Sequence, residues 1–282
     1  MSKQFHHTND VSICYDFADY TDAWRGDERA TFLLYPGYCR TMEFWRAWVP
    51  LLGRDYRVLR MDPRGYGHSS KPQPGAPISA ADFINDALGV MDRLGIRRVH
   101  WVGEATGGTL GLGAAADHPD RIASVTLCNG FARQPGETAG IYALGEKDQG
   151  AALEKYGVAE WSRRTLHHRM DLKRAPAGLA EWMIAEMART PSYVAADMFR
   201  FFSQVDLRPR LPDIAAPVLM LVGAGCGARL KQQQQEMKAQ LARASVVEIE
   251  NCDYGLNFLA PEQAVAAIRA FLEHELAAST RR

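Results

Sequence analysis

Short runs of β-branched and apolar residues recur along the chain, and the stretches between them return an apolar residue every three or four positions. The runs "VSICYDF", "TFLLY", "YRVLRMD", "VHWVG", "IASVTLCN", "PVLMLVG" and "SVVEIEN" read as strands. The intervening periodicity predicts helices over Thr41 to Leu52, Ser79 to Leu94, Gly108 to Asp117, Leu230 to Ala244 and Pro261 to Ala277. Such alternation is the mark of an α/β fold, a mostly parallel sheet with helices on both faces. It stops between Gly130 and about Pro212, where the chain is helical throughout and rich in Trp, Tyr, Met and Phe. The expected organisation is therefore a core from 1–129 and 213–282, with 130–212 inserted as a helical cap over the carboxyl ends of the strands. Ligands of open α/β sheets bind at that end.

Local signals sharpen two helix starts. Ser79 followed three residues on by Asp82 suits an N-cap, and Pro261 suits a first turn, where its missing N–H costs nothing. At 282 residues and 47% hydrophobic, the chain can bury a large core. Lys plus Arg and Asp plus Glu both number 33, so no net field recruits nucleic acid or an anionic membrane. A small-molecule ligand is the expected partner, and a homodimer is compatible with the chain. "MSKQFHHTND" has no signal-like apolar core, and no apolar run approaches the roughly 20 residues of a membrane span, so a cytoplasmic protein is expected. The five cysteines are dispersed without a CxxC pair, which argues for free thiols and against a disulfide frame or metal site. No cofactor motif stands out.

Four stretches in order carry a resemblance: "LLYPGYC" (33–39), "MDPRGYGHSSKP" (61–72), "GEATGG" (103–108) and "DLRPRLPDIAAPVLMLVGAG" (206–225). Together with "HPDRIASVTLCN" they resemble the α/β-hydrolase fold from about residue 10 to 277, closest to its 3-oxoadipate enol-lactonase-like branch. The resemblance implies a strand-turn-helix elbow at Gly103 to Gly108 and an oxyanion-hole loop at Gly37 and Tyr38. It also implies a Ser, an acid and a His in chain order. Those three places hold Ala105, Cys226 and Tyr254. The resemblance then points to a member with a replaced triad. "PGYC" is also similar to the "PGWC" loop of cofactor-free quinolone dioxygenases, which use a histidine base absent here at the matching place.

What survives any side-chain change is the main chain. The N–H groups of Tyr38 and Thr106 are the expected oxyanion donors, with Gly37, Arg40 and Ala105 completing a substrate-binding shell. Tyr254, Glu104 and His68 are the candidate acid/base groups, each weighed against a packing or solvated role. Cys226, without a histidine beside it, reads as packing. His167 and His168 in the cap could face the pocket; His6, His7, His100, His118 and His274 read as structural or solvated. Two functions stay open. One is an enzyme handling a small carbonyl or carboxylate compound by non-covalent lyase, decarboxylase or isomerase chemistry. The other is a non-catalytic pseudohydrolase that binds a small ligand or a protein partner.

Overall fold

The computed structural model describes residues 3–8, 11–24, 29–134, 136 and 139–280. Eight strands form one sheet: β1 Gln4–His7, β2 Ser12–Ala18, β3 Thr31–Tyr35, β4 Arg57–Met61, β5 Val99–Glu104, β6 Ile122–Cys128, β7 Val218–Gly223 and β8 Ala244–Ile249, in the order β1-β2-β4-β3-β5-β6-β7-β8. The first two junctions are antiparallel and the other five parallel. β3 and β7 are buried along their whole length. Their unbroken apolar runs are what a strand covered on both faces requires.

Ten helices accompany the sheet among the described residues. They are α1 Trp48–Leu52, α2 Ala80–Arg93, α3 Thr106–Asp117, α4 Ala139–Ala143, α5 Gln149–Thr165, α6 Leu179–Met187, α7 Ser192–Gln204, α8 Ala228–Lys238, α9 Leu256–Leu259 and α10 Pro261–Thr280. α2 begins with a complete capping box. The Asp82 N–H donates to Ser79 Oγ at 3.2 Å, and the Ser79 N–H donates to Asp82 Oδ2 at 3.0 Å.

Three expectations are corrected. The helix expected over 41–52 breaks into a 3₁₀ turn, Met42–Trp45, followed by the short α1. Pro50 has no N–H to return to residue 46, and its ring would meet that carbonyl, so a continuous helix is excluded. Residues 4–7 form an edge strand that apolar patterning misses, because "QFHH" carries one large apolar side chain in four. The helix expected to run from Leu230 to Ala244 ends at Lys238, since Ala244 already pairs with Val218 in the sheet.

Between β6 and β7 every named element is helical, from α4 through α7, with Pro135, Glu137 and Thr138 lying outside the described residues. This stretch meets the loops that follow the carboxyl ends of the strands. The Tyr38 hydroxyl donates to the Ala195 carbonyl, Thr41 Oγ1 donates to Glu186 Oε2 at 2.9 Å, and Tyr193 donates to the Pro72 carbonyl at 3.2 Å. Phe201 stacks on Phe83 at 5.9 Å, and Trp182 packs on Phe44 at 5.1 Å. α5 does not run straight through: Gly157 sits at φ 77° and ψ 160°, a kink open to glycine.

The loop "MDPRGYGHSS" proves to be scaffolding. Asp62 is fully buried, and its carboxylate accepts the N–H groups of Met42 and His68, both at 2.8 Å. Ser69 donates to the Asp62 carbonyl at 2.6 Å while accepting the Cys14 N–H at 2.9 Å, which ties β2 to the end of β4. Asp62→Ala leaves two interior N–H groups without acceptors and is expected to lower unfolding free energy by about 2 kcal/mol. Urea denaturation reads this directly, and a midpoint within error of the parent would contradict it.

Candidate active site

The turn between β5 and α3 has the backbone of a nucleophile elbow. Ala105 stands at its apex with φ 44° and ψ −115°, a conformation strained for any residue with a β-carbon. Hydrogen bonds on both sides hold it there. The Ala105 N–H donates to the Cys128 carbonyl at 3.2 Å, and its carbonyl accepts the N–H groups of Gly108 at 2.9 Å and Thr109 at 3.2 Å. The neighbouring glycines are explained by packing alone. A β-carbon on Gly107 would lie 2.5 Å from the Pro36 carbonyl oxygen, and one on Gly103 would lie 2.3 Å from that of Gly107. They therefore carry no evidence about ligands, whereas the strained alanine is not explained by packing. Ala105→Gly is expected to raise stability by about 1 kcal/mol, strain relief exceeding the entropy cost of glycine. Thermal unfolding checks it, and a fall in Tm would show the turn to be unstrained.

The oxyanion-loop candidates sit beside this apex. A β-carbon placed on Gly37 would be 3.6 Å from the Ala105 methyl. Among the described residues, neither the Tyr38 N–H nor the Thr106 N–H has an acceptor, and both residues line a cavity of about 760 Å³. Gly37, Arg40, Glu104, Ala105 and Tyr254 share that lining, together with Tyr142, Trp161, His167, His168 and Arg169 from the helical stretch. Trp161 is buried, as are Phe199 and Phe202.

Each candidate side chain has a definite place. Arg40 forms a buried ion pair with Glu104 across 64 residues of sequence, and its guanidinium lies 5.2 Å from the Phe44 ring centre. Its charge is thus already matched within the protein, while Glu104 Oε2 has no partner. Tyr254 faces the cavity, but its hydroxyl lies against the turn at Gly227, and burial raises its pKa above the ordinary phenol value. It stays protonated at neutral pH. Cys226 donates to the Asp253 carbonyl at 3.0 Å and approaches Asn129 Oδ1 at 3.5 Å, and burial pushes its thiol up to about 12. That thiol is no nucleophile near neutral pH. His68 does not line the cavity; its ring faces Lys3 and Arg189 at the protein's edge. His100 is held by Ser124 at 2.8 Å and driven down to about 4 by burial, a structural group.

His167 and His168 behave differently. The rings of His167 and His168 lie 3.8 Å apart, and Tyr142 meets His168 edge-on at 6.5 Å. Burial, then the charges of His167 and Arg169, lower the His168 pKa, so it is neutral at pH 7 and able to accept a proton. Among the described residues no group of three His, Cys, Asp or Glu side chains could hold a metal, and no helix is long and apolar enough to cross a membrane.

The strand order, the elbow and the loop after β3 define an α/β-hydrolase, and residues 30–155 match the family model described as alpha/beta hydrolase fold. The chain has the α/β-hydrolase fold and is similar to members of its enol-lactonase branch. The enol-lactonase of Burkholderia xenovorans superposes with a TM-score of 0.84 at 25% identity, over 96% of this chain and all of that one. The 3-oxoadipate enol-lactonase 1 of Acinetobacter baylyi is 24% identical across 88% of this chain and 91% of its own. A Caulobacter sp. protein named "Putative carbamate hydrolase RutD" is 28% identical across 89% of this chain and 93% of its own.

Proposed function

We propose that this protein binds a small carbonyl compound with its oxygen on the Tyr38 and Thr106 N–H groups, and promotes a non-covalent step through an enolate, as in decarboxylation, isomerisation or elimination. One observation carries the reading: two unpartnered N–H donors meet a 760 Å³ cavity at an apex that presents a methyl group. Preorganised donors stabilise an enolate as well as a tetrahedral adduct. The α3 N-terminus adds favourable potential. His168 is a proton acceptor in the wall, beside Glu104, His167, Asp171 and Asp253, and helices α4 to α7 act as a cap that excludes water. The hydrolase names of the relatives support the carbonyl as the group recognised, while the apex supports chemistry without an acyl-enzyme.

Exchange of α-hydrogens of small keto acids in D₂O, followed by proton NMR, tests this. Since the His168 pKa lies below its ordinary 6.5 and the neutral ring is the active form, exchange is expected to be flat above pH 7 and to fall on the acid side. His168→Gln should lower it at least about tenfold. Binding without any exchange would favour the second reading, a ligand-binding pseudohydrolase.

A further inference from the structure

The cavity wall holds a second, half-buried cation, Arg169, that no carboxylate among the described residues answers. Arg169 follows the 3₁₀ turn Leu166–His168, and its guanidinium carbon lies 4.8 Å from the centre of the Trp161 ring. Its Nη2 donates to Ser162 Oγ at 3.1 Å, to the Ser162 carbonyl at 3.3 Å and to Thr165 Oγ1 at 3.2 Å. Nη1 reaches Met187 Sδ at 3.3 Å, a weak acceptor, and Nε is buried without a partner. Among the described residues no Asp or Glu oxygen comes within 4.0 Å of it. Its charged neighbour is Arg40, which is already committed to Glu104.

Arg40 and Glu104 thus match each other, and Asp171, Lys173 and Asp253 line the same cavity, but among the described residues no carboxylate pairs with the Arg169 guanidinium. A guanidinium drawn partly out of water is costly unless an anion shares its site. The aromatic and sulfur surroundings of Arg169 hold its planar fork in place, and only neutral acceptors occupy it. We infer that Arg169 receives the carboxylate of the ligand, so that the compound bound is a carbonyl compound bearing a second, anionic end. This rests on the carbonyl reading above. A carboxylate fits better than a phosphate, because one unmatched positive charge and one planar fork complement a planar monoanion.

Monomethyl glutarate and dimethyl glutarate share a skeleton and differ by one carboxylate. Isothermal titration should show the monoester binding at least tenfold more tightly than the diester to the parent protein. Arg169→Met should abolish that preference while leaving diester affinity unchanged, and Arg169→Lys should keep part of it. Removal of an unmatched cation leaves the melting temperature of the Met variant equal to or above the parent's; if that variant does not fold, the Lys variant and the ester pair on the parent carry the test. No monoester preference in the parent, or a preference that survives Arg169→Met, overturns the assignment. Tighter binding of inorganic phosphate than of the monoester also overturns it. Diester binding that is equal in parent and Met variant leaves the carbonyl site standing by itself, so the two readings fail separately.

Discussion

Glu104→Ala is expected to cost the fold about 3–5 kcal/mol, more than any other single exchange considered. The pair it breaks is interior, with Arg40 at 8% and Glu104 at 10% side-chain exposure. Removing the acid leaves a guanidinium in the wall with no carboxylate partner among the described residues, and the cation–π contact with Phe44 supplies a fraction of the lost energy. Guanidinium denaturation of the single variant measures the loss. The double variant Arg40→Met with Glu104→Gln should recover most of it, because no interior charge is left over. A single variant within 1 kcal/mol of the parent would show that water reaches Arg40 freely, and the pair would then be a surface contact worth little.

The second large effect is a gain. The parent should show no labelling by fluorophosphonates and negligible turnover of p-nitrophenyl acetate. Ala105→Ser combined with Tyr254→His should raise hydrolysis by about 10²-fold, the lower part of the range for a positioned general base, and should make labelling stoichiometric. Serine needs no backbone change at the apex, since the strained turn already carries a β-carbon at a residue that lines the cavity. Completing the set with Cys226→Asp looks natural from the sequence, but the structure argues against it. That slot is lined by the Asp253 carbonyl oxygen at 3.0 Å and Asn129 Oδ1 at 3.5 Å, two acceptors that would repel a carboxylate. The triple variant should therefore be less stable than the double and little faster. If the double variant folds and remains inert, the Tyr38 and Thr106 donors do not form an oxyanion hole.

The strands were legible because interior parallel strands are apolar without interruption; β3, β5 and β7 could be read to within a residue. β1 could not, since its place depends on pairing with β2 and not on its own pattern. The elbow and the loop after β3 were legible from glycine spacing, which is a local property of the chain. The Arg40 to Glu104 pair was not, because it joins residues 64 apart and nothing in either neighbourhood marks it. Arg40, expected in the substrate-binding shell, lines the cavity but is paired with Glu104, and Arg169 within "HHRMD" gave no spacing signal at all. Its position follows from how α5, kinked at Gly157, delivers the 3₁₀ turn to the cavity. Tyr254, reached by counting back from Pro261, lines the cavity, yet the direction of its hydroxyl is set by the turn at Gly227 and could not be counted.

The division of labour between main chain and side chains bears on how such a protein changes over generations. The donors at Tyr38 and Thr106 are peptide groups, so almost any codon change at those positions leaves them in place as long as the turns persist. The groups supplied by the helices between β6 and β7 are all side chains, and a single nucleotide change can remove Arg169 or His168. Under the proposed function, mutational drift would erase ligand preference long before it erases the two peptide donors. Ligand choice would then change through the helices between β6 and β7 alone, with the sheet and its elbow kept.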